Sequence, residues 1–136
     1  MFPAFFDGMP GVRKAPIRVL LAEDEFLLRM DAADGMRRLG WDVVEVSSAD
    51  EGLELLRHSV RFDLLVTDIE MPGQTDGLDL ARYVRSEYRD MKIAIMSASG
   101  KGKTADPLLY DLFLAKPVWN VASTLAGLME GARHAD

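Results

Sequence analysis

The chain contains no cysteine, which excludes disulfide bonds and any metal site built from thiolates. It has no apolar run near the ~20 residues that cross a bilayer, and its start lacks a signal-peptide pattern. Basic residues are in the minority, with 16 Lys and Arg against 22 Asp and Glu. The formal charge of −6 argues against general nucleic-acid binding, which needs a basic face. We therefore expect a cytoplasmic protein that binds neither membranes nor nucleic acid.

The length of 136 residues is most simply that of one domain. Residues 1–16 carry three prolines and two glycines without any periodic pattern, which predicts an irregular lead-in. We assign residues 17–130 to the folded domain and residues 131–136 to a C-terminal tail.

Five short apolar segments alternate with helical patterns, which is typical of buried parallel strands connected by helices. The predicted strands are 17–22, 41–46, 62–67, 92–96 and 112–115. This alternation predicts an α/β fold with a doubly wound five-stranded parallel sheet and helices on both faces. The common strand order in such small sheets is 2-1-3-4-5, which puts the switch point between strands one and three. A closed barrel would need about 250 residues, so the open sheet is favoured.

The first predicted helix has apolar residues at steps of three and four. Leu28, Ala32, Met36 and Leu39 follow this spacing, which predicts an amphipathic helix. The residue after them, Gly40, is typical of a helix end.

The remaining helices are predicted from capping signals. Ser48 and Glu51 form a capping-box pattern at the start of the second helix, a third covers 78–85, and a last begins at Pro117. The segment 99–107 carries two glycines, two lysines and a proline, which disfavour a regular helix. We expect the element there to be short, displaced or mobile.

Charged residues follow three of the predicted strands. Glu23 and Asp24 come after the first strand, Asp68 after the third and Lys116 after the fifth. Because ligands of open α/β sheets bind beyond the carboxyl ends of the strands, these side chains should meet in one crevice. Mg²⁺ prefers carboxylate oxygens and commonly shares them with phosphate oxygens. The sequence therefore predicts a Mg²⁺ site at Glu23, Asp24 and Asp68.

The same crevice suits phosphoryl transfer. Asp68 is the candidate nucleophile, because a carboxylate can attack phosphorus to form an acyl phosphate. Lys116 would stabilise phosphoryl oxygens as a compact cation, and Ser97 at the end of the fourth strand offers a hydroxyl donor. The backbone carbonyl of Glu70 is a candidate for a further metal ligand.

These motifs resemble the receiver domain of two-component response regulators. Val19–Glu25 looks like the acidic motif after the first strand of that family, and Asp68–Gly73 with Asp76-Gly77 looks like its phosphoacceptor loop. Ser97-Ala98 looks like the family's Thr/Ser-Ala switch pair, and Lys116-Pro117 looks like its lysine with the following proline. The resemblance extends over residues 17–128, nearly the whole chain.

The resemblance implies a flavodoxin-like fold and phosphorylation of Asp68 by a histidine kinase or a histidine phosphotransfer protein, with Mg²⁺ as cofactor. Ser97 and the residue at position 113 would form the conformational switch. Phe113 stands where many receivers have Tyr, so that half of the switch would rely on packing alone. The loop at Gln74-Thr75 is one residue longer than the commonest version, which should be tolerated.

Only Glu130–Asp136 follows the last predicted helix, so we expect a single-domain response regulator without its own output unit. Such a protein would bind an unknown downstream partner or shuttle phosphate, and it would not be an enzyme. A homodimer that depends on phosphorylation stays open.

Two other functions compete with this hypothesis. A receiver-like module could dock partners without being phosphorylated, although the retained acids, Ser97 and Lys116 count against it. A phosphatase of the haloacid-dehalogenase type would also use an aspartyl phosphate. It would need a second Asp two residues after the nucleophile, where Glu70 stands.

Overall fold

The computed structural model describes residues 15–98, 106–118 and 120–134 of the chain. Its strands are β1 (Arg18–Ala22), β2 (Asp42–Val46), β3 (Leu64–Asp68), β4 (Lys92–Ser97) and β5 (Leu112–Ala115). Its helices are α1 (Phe26–Arg38), α2 (Ala49–Arg57), α3 (Gly77–Glu87) and α4 (Val121–His134), with a 3-10 helix at Pro107–Leu109. None of these described helices is both long and apolar enough to span a membrane.

The five strands form one parallel sheet in the order β2-β1-β3-β4-β5, which confirms the predicted topology. All five residues of β3 are buried, as expected at the centre of the sheet. This strand begins at Leu64 instead of residue 62 and includes Asp68 as its last residue. Because the strands are parallel, their carboxyl ends lie along a single edge.

The core has one layer on each face of the sheet. Leu20 belongs to the layer under α2 and α3, and its neighbour Leu21 belongs to the layer under α1 and α4. Both side chains are fully buried, and burying a leucine contributes about 1.5–3 kcal/mol. Since successive strand residues point to opposite faces, burial on both faces fixes the register of every central strand.

Helix α1 buries only part of the predicted apolar face. Ala32 and Met36 are buried as expected, but Leu28 and Leu39 are 46% and 45% exposed. Ala33 is also fully buried, so the buried side of the helix is centred on Ala32, Ala33 and Met36. The predicted apolar positions are therefore buried at Ala32 and Met36 but half-exposed at Leu28 and Leu39.

The caps of α2 and α3 differ from the predicted pattern. Ser48 caps α2 by accepting from the Glu51 backbone N–H at 3.1 Å, as predicted. The Glu51 carboxylate, however, accepts mainly from the backbone N–H and the hydroxyl of Ser47, the residue before the cap. A complete capping box occurs instead at α3, between Asp76 and Asp79, and was not predicted.

The last helix begins at Val121, so the predicted start at Pro117 is wrong. Asn120 has a φ of 57°, which a right-handed helix does not accommodate, so α4 cannot begin before it. The helix continues to His134, with Leu125 fully buried. The predictions for residues 1–14 and 99–105 lie outside the described residues, and the division into lead-in, domain and tail stays a prediction.

Candidate functional site

The carboxyl edge of the sheet brings together four of the predicted site residues. Glu23 follows β1, Asp68 and Ser97 end β3 and β4, and Lys116 follows β5. Glu23, Asp68 and Ser97 are 2%, 5% and 3% exposed, which is unusual for polar side chains. Buried charges persist only where they are paired or coordinate metal, so this edge is a specialised polar site.

Lys116 joins the two buried acids. Its Nζ donates to Glu23 Oε1 at 2.8 Å and to Asp68 Oδ2 at 2.9 Å. The other oxygen of Asp68, Oδ1, is buried and has no hydrogen-bond partner among the described residues. An unpartnered buried carboxylate oxygen is costly, which indicates that this atom is held ready for a ligand.

Burial dominates the protonation behaviour of the site. It raises the pKa values of Glu23 and Asp68 above their ordinary values, against the opposing hydrogen bonds from Lys116. The negative charges of Glu70 and Asp24 raise the pKa of Asp68 further. For Lys116, burial alone would lower the pKa, but the hydrogen bonds to Glu23 and Asp68 outweigh it and raise the pKa. Lys116 therefore stays protonated, and burial disfavours the charged forms of the two carboxyls beside it.

Glu23, Asp24 and Asp68 can act together as metal ligands. One carboxylate oxygen from each lies within 4.8 Å of the other two. The donor set consists of oxygen atoms, which suits Mg²⁺, and Asp68 Oδ1 is a buried donor without a partner. Asp24 is exposed, so it leaves the cluster open to solvent. A cavity of about 420 Å³ lined by Asp24, Glu70, Met71, Pro72 and Asp76 opens beside it. The residues present thus fit a hydrated divalent cation.

The backbone of Asp68 is fixed by the start of α3. Gly77 donates its backbone N–H to the carbonyl of Ile69 at 2.9 Å. A Cβ atom at position 77 would overlap the carbonyl oxygen of Asp68, so the close approach requires glycine. This packing holds the candidate nucleophile at the end of its strand.

Ser97 makes a contact that the sequence did not reveal. Its hydroxyl lies 3.2 Å from both carboxylate oxygens of Glu70 and donates to them. From the sequence, only the backbone carbonyl of Glu70 was assigned to the site. The role of that carbonyl as a metal ligand stays a prediction. The sequence feature that could have indicated the Ser97–Glu70 contact is the position of Glu70, two residues beyond Asp68 in the loop next to the end of β4.

Phe113 lies on β5 opposite Ile95 of β4. Ser97 lies two residues further along β4, opposite Ala115. The Phe113 side chain is half-buried, and its ring centroid lies 6.2 Å from that of Tyr110. Two aromatic rings at this separation pack favourably. The switch role of Phe113 stays a prediction.

Arg29 is a second residue that the sequence reasoning missed. Its guanidinium reaches back from α1 and donates to the backbone carbonyl of Glu23 at 2.9 Å. The signal was weak, because an arginine on a surface helix ordinarily points into solvent.

The candidate site lies within the range of the chain that a known protein family matches. The family model described as the response regulator receiver domain matches residues 19–120. This range contains Glu23, Asp24, Asp68, Ser97 and Lys116.

Curated relatives include regulators of several kinds. The chain is 39% identical over 84 residues to the transcriptional regulatory protein PdtaR of Mycobacterium tuberculosis, covering 61% of this chain and 40% of that protein. It is 34% identical over 89 residues to the chemotaxis protein CheY of Pseudomonas aeruginosa, covering 64% of this chain and 69% of that protein. The chain thus spans two-fifths of the length of PdtaR.

Solved structures share the fold over most of their length. A response regulator receiver protein from Sinorhizobium medicae has a TM-score of 0.76 at 27% identity, covering 89% of this chain and 98% of that one. The response regulator protein TrrA from Thermotoga maritima, in complex with Mg²⁺-BeF, has a TM-score of 0.72 at 24% identity. The match to TrrA covers 85% of this chain and 98% of that one.

Proposed function

Because the chain belongs to the family of response regulator receiver domains, we propose that it is a signalling switch phosphorylated on Asp68. One observation carries the proposal. Asp68 is buried, its Oδ2 lies 2.9 Å from Lys116 Nζ, and its Oδ1 has no partner among the described residues. A carboxylate held by a cation on one oxygen and free on the other is arranged to receive a ligand.

The proposed reaction is a transfer between two phosphoryl carriers. An oxygen of Asp68 forms a bond to phosphorus, and the bond from phosphorus to the donor breaks with its electron pair leaving on the donor. The leaving group is the imidazole of a phosphohistidine or, with a small-molecule donor, acetate. Lys116 offsets the charge on the phosphoryl oxygens. Mg²⁺ held by Glu23, Asp24 and Asp68, with the Glu70 carbonyl, would supply the remaining positive charge.

The proposed response begins at Ser97. A phosphoryl group on Asp68 brings new charged acceptor oxygens to the end of β4, so we propose that Ser97 exchanges its bond to Glu70 for one to the phosphoryl group. The strand pairing links this movement to β5 and Phe113. The switch thus converts a change of charge into a change of packing, and no substrate is turned over.

The proposed phosphodonor is a histidine kinase or a histidine phosphotransfer protein, which docks on the exposed apolar start of α1. We define the α1 patch as Phe26, Leu27, Leu28 and Met30, which are 41–69% exposed. The patch begins two residues after Asp24, so a protein bound there has direct access to the site. The downstream partner is a further protein, and a homodimer formed on phosphorylation is tested in the same experiments.

The test is to incubate the protein with acetyl phosphate and Mg²⁺ and to measure its intact mass. We expect a gain of one phosphoryl group that is lost in alkali, as an acyl phosphate should be. Asp68→Asn should abolish the gain. Asp42→Asn is the matched control, because Asp42 is an exposed carboxylate at the opposite edge of the sheet.

Other outcomes identify the competing functions. A wild-type protein that gains no phosphate with Mg²⁺ would overturn the proposal and favour a docking module that works without phosphorylation. Steady release of inorganic phosphate over many turnovers would indicate a phosphatase. Size-exclusion chromatography of the phosphorylated protein tests the homodimer.

The docking surface has its own test. Leu27→Lys should slow phosphotransfer from a phosphorylated histidine kinase but not from acetyl phosphate, because Leu27 is 69% exposed and belongs to the patch, not to the site. Equal slowing with both donors would show that the substitution damages the site itself.

A further inference from the structure

The backbone of Glu23 is anchored at both of its hydrogen-bonding groups. Its N–H donates to the carbonyl of Val46 at 3.1 Å, at the end of β2. Its carbonyl accepts from Arg29 Nη1 at 2.9 Å. The Glu23 carboxylate accepts from the Glu25 N–H at 3.1 Å and from Lys116 at 2.8 Å. The turn that carries Glu23 and Asp24 is therefore held by hydrogen bonds to Val46, Glu25, Arg29 and Lys116.

Arg29 is held in place by contacts on its other sides. Its Nε donates to Glu45 Oε1 at 3.3 Å, and its guanidinium carbon lies 5.6 Å from the centre of the Phe26 ring. The side chain is only 16% exposed, so these contacts act in a partly desolvated environment. A planar guanidinium can satisfy a carbonyl and a carboxylate at once, and a rigid fork of this kind fixes the relative positions of its acceptors.

We propose that Arg29 is a positioning residue for the metal site, because it fixes the Glu23 carbonyl and thereby the turn that presents Glu23 and Asp24. The inference rests on the proposed function only in taking these acids as Mg²⁺ ligands. Partners that orient metal ligands strongly influence metal affinity in proteins generally.

Because Arg29 is positively charged, the direction in which Mg²⁺ affinity changes when Arg29 is removed tests the inference. Arg29 is a cation close to a group of carboxylates that should bind another cation. If its effect were purely electrostatic, removing it would strengthen Mg²⁺ binding. If it acts by holding the Glu23 turn, removing it weakens Mg²⁺ binding in spite of the charge.

Arg37 provides a matched control within the same helix. Its Nη1 donates to Glu45 Oε2 at 2.9 Å, and its Nη2 donates to the carbonyl of Val43 at 3.0 Å. Both arginines thus bond Glu45 and one backbone carbonyl near β2, and either change to Met removes one positive charge. They differ in which carbonyl they hold, because Val43 is not one of the candidate ligands.

The experiment measures Mg²⁺ binding to the full chain by isothermal titration calorimetry, alongside urea unfolding without Mg²⁺. We expect Arg29→Met to raise the Mg²⁺ Kd by about tenfold, at the low end of effects of lost ligand-orienting contacts. Arg37→Met should leave the Kd within about twofold of wild type, and it should lower stability less than Arg29→Met because Arg37 is 45% exposed. Arg29→Lys, which keeps the charge but not the fork, should also weaken binding.

The Mg²⁺ titrations of the Arg29 and Arg37 variants distinguish the positioning role of Arg29 from the metal site itself. An unchanged or lower Kd in Arg29→Met, or an equal rise in Arg37→Met, would overturn the inference, while Mg²⁺ binding by the wild type would still support the proposed site. Absence of Mg²⁺ binding by the wild type would instead refute the proposed metal site. Should Arg29→Met not fold, Arg29→Lys gives the same comparison, and a Kd equal to that of wild type would overturn the inference.

Discussion

Replacement of Lys116 by methionine should have a large, condition-dependent effect on folding. Lys116 Nζ donates to Glu23 at 2.8 Å and to Asp68 at 2.9 Å, and its side chain is 17% exposed. Lys116→Met keeps most of the side-chain volume but leaves two buried carboxylates without their shared cation. Two charge-assisted hydrogen bonds contribute about 1.5–3 kcal/mol each, and breaking a buried ion pair costs about 3–5 kcal/mol. We expect the free energy of unfolding to fall by about 3–5 kcal/mol at pH 7.

The loss should shrink as the pH falls. Burial already raises the pKa values of Glu23 and Asp68, and the variant lacks the Lys116 bonds that oppose this rise. A carboxyl whose pKa is higher in the folded state than in the unfolded state destabilises the protein at pH values above the unfolded-state pKa. This cost disappears as the pH falls, because the carboxyl then becomes protonated in both states. The difference between wild type and variant should therefore be largest near pH 7 and smaller near pH 5.

Urea unfolding followed by circular dichroism measures this effect. With a slope of about 2 kcal/mol/M, a loss of 4 kcal/mol lowers the midpoint by roughly 2 M. Saturating Mg²⁺ should recover part of the loss, because it returns positive charge to the acids. Lys92→Met is the control, since the Lys92 side chain makes no ion pair within the described ranges and begins β4 at the opposite edge. A loss below about 1 kcal/mol, or one equal at pH 5 and pH 7, would refute the argument from paired charges.

Three further predictions concern other parts of the site and its loops. Asp24→Ala should raise the thermal midpoint of the metal-free protein, because it removes one of three clustered negative charges. It should also abolish stabilisation by Mg²⁺, which for a wild type at 100 times Kd is about 2.7 kcal/mol; a lower midpoint in calorimetry would indicate a structural role for Asp24. Gly77→Ala should destabilise the fold and slow labelling of Asp68 by acetyl phosphate, because its Cβ would displace the Asp68 carbonyl; unchanged urea unfolding would contradict this. Asp50 accepts from the Thr75 hydroxyl and from the Gln74 N–H, which lower its pKa from 3.8. Asp50→Asn should thus reduce stability at pH 7, and the difference should begin to shrink near pH 3.8 and vanish below the lowered pKa of the folded state; a difference that grows in acid would show that the sign is wrong.

The predicted sheet and most of its site depend on features that sequence patterns carry directly. Alternating apolar segments of strand and helix length leave few arrangements for a chain of this size, and parallel strands necessarily place their carboxyl ends together. The meeting of Glu23, Asp68 and Lys116 follows from that geometry and from nothing subtler.

The parts that were not predicted depend on packing between elements. The buried side of α1 includes Ala33, which the predicted apolar spacing omits, while Leu28 stays half-exposed in a cavity that it shares with Leu21 and Met96. The Ser97–Glu70 and Arg29–Glu23 contacts depend on side-chain conformations of residues 27 and 6 positions apart. No local pattern specifies such pairs, because each partner is positioned by a different secondary-structure element.

The strand direction divides the molecule into two edges that should tolerate change very differently. Strands of four to six residues separate the edges by about 13–20 Å, and the candidate metal and phosphoryl-binding groups lie at the carboxyl edge. The turn at Ser59 between α2 and β3, with its φ of 63°, lies at the amino edge. Peptide tags, fluorophores or surface tethers attached there should leave the proposed phosphorylation of Asp68 intact, whereas attachments in the loops after β1, β3 and β5 should disturb it, because these loops adjoin the site residues.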